Sequence, residues 1–220
     1  MKQLAIFDLD GTLINTIEDL AASVNHALAQ KGFRTHDCRT IQSFVGNGVT
    51  RLMERALPQG HKDSATVQDA LVLFRAHYDV HCTDRSRPYP GIPEVLETLQ
   101  DKGIILAVAS NKYQKATEKV ISTLLPQIHF AEVTGISDTI PRKPDPAIIE
   151  HILTQCGITD KSTVLHTGDA LTDMQVALNA GIDCCAVSWG FRPLEELLPF
   201  HPCAVARTPK DILNCFFEND

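Results

Sequence analysis

Two carboxylates stand one residue apart near the start of the chain, where the apolar run Ala5-Ile6-Phe7 leads into Asp8-Leu9-Asp10-Gly11-Thr12. A run of Leu, Ile and Phe suits a strand buried in a sheet, whereas acids belong at its end. Neighbouring side chains of a strand point to opposite faces, so Asp8 and Asp10 share a face until the chain turns at Gly11. At 4 Å and an effective dielectric near 20 their repulsion is about 4 kcal/mol. A metal ion, a proton or a lysine has to offset it. A carboxylate in this position is a candidate nucleophile, Asp8, that splits one hard displacement into two easier ones. Its neighbour Asp10 then protonates the leaving oxygen and later takes a proton from water.

Three further groups of polar residues complete a possible site. They are Ser110-Asn111-Lys112, Arg142-Lys143-Pro144-Asp145-Pro146, and Gly168-Asp169 with Asp173. Backbone N–H groups of the turn through Leu9, Gly11 and Thr12, with the Ser110 hydroxyl and the Asn111 amide, are candidates to hold the oxygens of a phosphoryl group. Lys143 would neutralise charge on nucleophile and phosphate. Asp169, with Asp8 and a backbone carbonyl, offers the hard oxygen ligands that Mg²⁺ prefers, which makes Asp8, Asp10, Asp169 and Asp173 the candidate metal set. Phosphoryl transfer is the reaction class these parts fit.

The elements that must position these groups follow from hydrophobic period. Helical spacing appears over residues 17–31, where Thr16 is the expected N-cap and Gly32 the stop, and again around 49–56 and 67–78. From Tyr89-Pro90-Gly91 onward strands and helices alternate, with strands expected at 104–109, 131–134, 163–167, 184–188 and 203–206. Helices are expected at 94–102, 113–124, 148–156 and 172–180. Alternation of this kind predicts an α/β fold with a doubly wound parallel sheet. Residues 1–14 and 85–220 form its Rossmann-like core, and 15–84 an inserted α-helical domain with two hinge connections. Ligands of such sheets collect beyond the carboxyl ends of the strands, where the four polar groups fall.

The bulk numbers agree with an ordinary globule: 44% apolar and 21% charged residues in a chain of 220. A formal charge of -7 without a Lys/Arg run argues against nucleic acid or anionic lipid as a partner. The odd cysteine count of seven, without a CxxC pair, argues against a disulfide framework. No leader pattern or apolar run of spanning length is present, so the expected location is the cytoplasm. A monomer and a homodimer both fit. His166 falls within an expected strand, where a satisfied core histidine is the default.

Taken in order, Asp8-x-Asp10-Gly11-Thr12, Ser110-Asn111, Lys143-Pro144 and Gly168-Asp169-x-x-x-Asp173 resemble the four motifs of the haloacid dehalogenase superfamily of phosphotransferases. The helical insertion after the first motif is similar to the family's type-one cap, so the resemblance covers essentially the whole chain. It implies Mg²⁺, an aspartyl-phosphate on Asp8, and a cap that closes over substrate. Val45-Gly46-Asn47-Gly48, Tyr89-Pro90-Gly91, Ser110-Asn111-Lys112 and the 142–146 run look like the phosphoglycolate phosphatase group. That likeness implies a small phosphorylated metabolite, 2-phosphoglycolate, as substrate. Gly46, Asn47 and Gly48 are then candidates to approach it closely, since glycine imposes no side chain. Lys112 or Arg51 would meet its carboxylate. Two positions depart from the pattern: Asn15 stands where an Asp is common, and Ala170 where Ser or Thr is.

Three other readings share these residues. A sugar-phosphate mutase related to the beta-phosphoglucomutases has the same nucleophile and cap, but tends to carry an acid where this chain has Gly168. An inorganic pyrophosphatase is a second. A phospho-Asp sensing protein is the non-enzymatic one, and an acid two residues after Asp8 gives a durable switch no advantage.

Overall fold

The computed structural model describes residues 2–217. In chain order, β1 (Leu4–Phe7) and the short β2 (Ile14–Asn15) precede four helices, α1 (Ile17–Gln30), α2 (Cys38–Phe44), α3 (Gly48–Ala56) and α4 (Ser64–His81). A second short strand, β3 (Arg87–Pro88), leads to α5 (Ile92–Asp101), β4 (Ile105–Tyr113), α6 (Gln114–Leu124) and β5 (Glu132–Ile136). The chain continues with α7 (Ala147–Gln155), β6 (Val164–Gly168), α8 (Leu171–Ala180), β7 (Asp183–Val187) and β8 (Ala204–Ala206). Six strands form one sheet in the order β5-β4-β1-β6-β7-β8, with every neighbouring pair parallel. This is the α/β, doubly wound Rossmann-like fold that the alternation predicts.

Side-chain alternation along the strands builds two cores. Phe7, Val108, Leu165 and Val187 face one way and pack with α5, α6 and the insertion, while Leu4, Ile6, Ala107 and Val164 face α7 and α8. Asp8 continues the Leu4 and Ile6 face. It therefore emerges on the α7/α8 side, where Asp173 lies in the first turn of α8 and Lys143 just ahead of α7. The register aligns Phe7 with Val108 on one side and Thr167 on the other. The carboxyl ends of β1, β4 and β6 consequently open at one level.

Two details differ from expectation. β4 does not stop at Ala109 but runs on to Tyr113, so the polar Ser110-Asn111-Lys112 segment lies inside a buried strand. α2 goes unpredicted because a seven-residue helix with Ile41 as its one buried residue has no apolar period to read. The two connections between core and insertion also pair with each other, β2 with β3 antiparallel, Asn15 opposite Arg87. The buried Asp19 of α1 further accepts hydrogen bonds from Arg85 N, Ser86 N and Ser86 Oγ.

Candidate active site

Each of the two N-terminal acids has its own lysine. Asp8 Oδ1 lies 2.8 Å from Lys143 Nζ, and Asp10 Oδ2 lies 2.8 Å from Lys112 Nζ. The turn through Gly11 rotates the Asp10 carboxylate toward the insertion, where its Oδ1 accepts from Thr16 Oγ1 at 2.6 Å. Thr16 therefore stands at the N-cap position of α1 without capping it by its side chain. The expected mutual repulsion of Asp8 and Asp10 is answered by two separate ion pairs.

Asp8, Asp169 and Asp173 gather into one cluster, all buried, with a carboxylate oxygen from each within 4.8 Å of the others. The Asp10 carboxylate lies outside this cluster, on Lys112 and Thr16. One ammonium bridges two of the three acids. Lys143 Nζ donates to Asp8 Oδ1, Asp173 Oδ1 and Ala109 O, at 2.8, 2.6 and 2.6 Å. Asp173 also accepts from Ala170 N and lies 3.1 Å from His166 Nε2. Burial pushes Asp173 up, but Lys143 and His166 outweigh it and hold this carboxyl below the usual range. Burial raises Asp8 well above the ordinary carboxylate value, Lys143 opposes this, and the charges of Asp173 and Asp169 add to it. Asp169 is pushed up to about 7, by burial and then by Asp173, against hydrogen bonds from Phe191 N and Thr12 Oγ1. Three buried acids with one cation are short of positive charge. Their oxygens are the donor set a hard divalent cation takes, so the residues present fit such an ion.

The other sequence candidates divide. Ser110 Oγ lines the pocket and accepts from Lys112 N at 3.2 Å, which leaves its proton to donate. Within the turn, Gly11 N donates to Ile14 O and Thr12 N to Leu9 O. The N–H groups of Leu9 and Asp10 have no backbone partner among the described residues and are the turn's remaining donors. Gly11 and Thr12 thus act on Asp169: Thr12 Oγ1 donates to its Oδ1 at 2.7 Å, and any side chain on Gly11 would meet the same carboxylate. Gly11 is also left-handed, with φ of 92°. The Asn111 amide is not available to a phosphate. It donates to Gly46 O and Lys143 O and accepts from Lys143 N, pinning two loops together. Gly46 and Gly48 line the pocket, as does Lys112, which also bonds Tyr78 of α4 at 2.9 Å. Asn47 turns away, its Oδ1 accepting from Arg55. Arg51 is likewise outside the pocket and pairs with Glu54.

Two contributions escape the sequence reading. His166 is a buried neighbour of Asp173, indistinguishable in sequence from a core residue of β6. The end of β7 carries Trp189-Gly190-Phe191-Arg192: Phe191 N donates to Asp169 Oδ2 at 2.7 Å, Trp189 Nε1 to Thr12 O, and Arg192 to Ser43 O and Val45 O of the insertion. The strand-end rule, applied to β7 as to β1, β4 and β6, would have found it. A methyl group on Gly190 would fall inside contact distance of Asp169 Cβ and Cγ. Gly190→Ala is expected to displace Asp169 and lower kcat/KM by about 10²-fold, with the circular dichroism spectrum unchanged. Steady-state kinetics on the purified variant checks this.

The whole defines a class: a doubly wound α/β phosphoryl-transfer fold with a carboxylate nucleophile candidate, an acidic cluster and a helical insertion over the strand ends. The chain belongs to the haloacid dehalogenase-like hydrolase family, whose model matches residues 5–187. It is 36% identical over 206 residues to a phosphoglycolate phosphatase of Mesorhizobium japonicum, covering 93% of this chain and 90% of the relative. A phosphoglycolate phosphatase of Pseudomonas savastanoi pv. phaseolicola is 34% identical over 209 residues, with 90% and 75% covered. Among solved structures, a predicted phosphoglycolate phosphatase from Haemophilus somnus superposes with a TM-score of 0.89 at 28% identity, over 98% of each chain.

Proposed function

We propose that this chain is a Mg²⁺-dependent phosphatase of a small phosphate monoester, 2-phosphoglycolate, working through an aspartyl-phosphate on Asp8 beneath a cap formed by residues 15–84. The observation that carries the reading is the position of Asp8: one oxygen is held by Lys143 while the carboxylate lines a pocket shared with Asp10 and Ser110. The free oxygen attacks phosphorus as the ester P–O bond breaks, and Asp10 gives its proton to the departing oxygen. Asp10 then takes a proton from the water that cleaves the acyl phosphate. Ser110 Oγ and the Leu9 and Asp10 N–H groups bind the phosphoryl oxygens. Asp8, Asp169 and Asp173 would hold the metal, with Asp10 contributing by its backbone carbonyl; a bound divalent cation supplies charge neutralisation and polarises the phosphoryl group.

The pocket is lined from both sides, by Asp8, Ser110 and Lys143 of the core and by Gly46, Gly48 and Leu52 of the insertion. Lys112 and Arg192 line it and are the cations within reach of a second anionic group. Any side chain at Gly168 would strike Asp173, which disfavours the mutase pattern of an acid there. No helix among the described residues is long and apolar enough to cross a membrane. All seven cysteines are unpaired, which supports placement in the reducing cytoplasm. A phosphate-release screen over small phosphorylated metabolites, with and without Mg²⁺, tests the reading. Release is expected to be strongest with 2-phosphoglycolate, whereas isomerisation of a hexose 1-phosphate without release would overturn it.

A thermal measurement tests the metal separately. Asp169 has a raised folded pKa of about 7, so between about pH 4 and 7 the folded metal-free protein binds more protons at this site than the unfolded chain does. Its contribution to stability falls as pH rises through that window. Mg²⁺ competes with those protons, so the Tm gain from added Mg²⁺ is expected to be larger at pH 8 than at pH 5.5. A gain independent of pH would place the ion elsewhere.

A further inference from the structure

A second concavity lies on the other side of the 46–48 loop. It is an open cleft of about 530 Å³ lined by Asn47, Arg51, Glu54, Arg55, Lys62 and Arg142. Four cations face one carboxylate, in a chain whose formal charge is -7. Only part of that positive charge is matched. Arg51 Nη1 pairs with Glu54 Oε2 at 2.6 Å. Arg55 is held by neutral acceptors, Phe44 O and Asn47 Oδ1, at 2.7 and 2.8 Å. The side chains of Lys62 and Arg142 have no hydrogen-bond or ion-pair partner among the described residues. Partial burial, with Arg192 and Arg51 nearby, holds the Arg55 guanidinium below its ordinary pKa, as expected where positive charge is in excess.

The cleft also crosses a boundary. Arg51 and Arg55 project from α3 and Lys62 from the loop after it, all within the insertion, whereas Arg142 belongs to the core. Each wall is one residue from the catalytic pocket: Asn47 lies between Gly46 and Gly48, and Arg142 precedes Lys143. Guanidinium groups pair with phosphate oxygens two at a time, and an ammonium adds a point charge. None of the lining residues is aromatic.

We propose that this cleft is a second anion site, distinct from the catalytic pocket, that takes a short chain of linked phosphates and bridges the helical insertion to the core. Its occupant ties the insertion to the core, because Arg142 and the α3 cations line the same cleft.

Calorimetric titration of the full-length chain with inorganic tripolyphosphate, in metal-free buffer, tests the site. The Lys62→Ala/Arg142→Ala double variant is expected to bind at least tenfold more weakly, with its circular dichroism spectrum and Tm unchanged. Orthophosphate is expected to bind the wild type more weakly than tripolyphosphate. Hydrogen exchange with tripolyphosphate present is expected to slow in residues 47–55 and around Arg142 together. Undiminished binding by the double variant would assign the anion to the catalytic pocket and overturn the proposal. Protection confined to one wall would overturn the bridging role.

Discussion

Replacing Asp8 with Asn is expected to abolish turnover of para-nitrophenyl phosphate, by at least about 10³-fold, without unfolding the protein. The amide keeps the shape of the carboxylate and can still accept from Lys143 Nζ, but its oxygen is too poor a nucleophile to form the acyl phosphate. Stability should move the other way. Asp8 is a buried acid held well above its ordinary pKa by burial and by the charges of Asp173 and Asp169, with Lys143 opposing. Its neutral isostere relieves that cost, while Lys143 retains Asp173 at 2.6 Å. The metal-free variant is therefore expected to melt at or above the wild-type Tm at pH 8, and to show a smaller gain on adding Mg²⁺. Rapid-quench measurement of phosphate transferred to protein gives the direct check: wild type should carry acid-stable label and Asp8→Asn none. Turnover retained by Asp8→Asn would remove the proposed nucleophile. A large loss of Tm would mean that the Asp8–Lys143 pair stabilises the fold more than its burial costs.

The sheet was legible because the central strands β1, β4, β6 and β7 bury apolar residues on both faces, and the alternating Leu4, Ile6 and Ala5, Phe7 sets leave little else to read. The acids were legible for the converse reason: Asp8 and Asp169 interrupt or end such runs, where an unpaired charge has no structural use. What did not show was direction. Asp8 and Asp10 look like a pair in sequence, yet the turn sends one toward α8 and the other toward the insertion. Asn111 reads as a ligand residue and is instead a clamp, because its strand continues past the point where polar residues suggest a loop. Asn47 reads as a pocket residue and faces outward, since the left-handed glycines on either side of it, with φ of 115° and 80°, reverse the chain there. Period and composition report burial, whereas backbone torsions decide which neighbour a buried polar group meets.

Lys143 should show the largest stability effect in the molecule. Its side chain is 1% exposed and its three ammonium donors go to Asp8, Asp173 and Ala109 O. Lys143→Met keeps most of the aliphatic volume and removes the charge. Asp8, Asp169 and Asp173 then remain together in a buried cluster without their cation, and breaking such a pair costs about 3–5 kcal/mol. With a urea slope near 2 kcal/mol/M that is a fall of about 1.5–2.5 M in the unfolding midpoint of the metal-free protein. The sign of the pH dependence separates charge from packing. Without Lys143 the carboxyl of Asp173 loses the partner that holds it below the usual range, so its folded pKa rises and that of Asp8 rises further. Acids with raised folded pKa values destabilise the fold increasingly as pH climbs through those values. The deficit of Lys143→Met relative to wild type is therefore expected to be larger at pH 8 than at pH 5.5, and to shrink in Lys143→Met/Asp173→Asn. A deficit equal at both pH values would assign the loss to packing. Lys143 would then be needed for phosphate chemistry alone, and the acidic cluster would owe its stability without metal to protons taken up by Asp8 and Asp169.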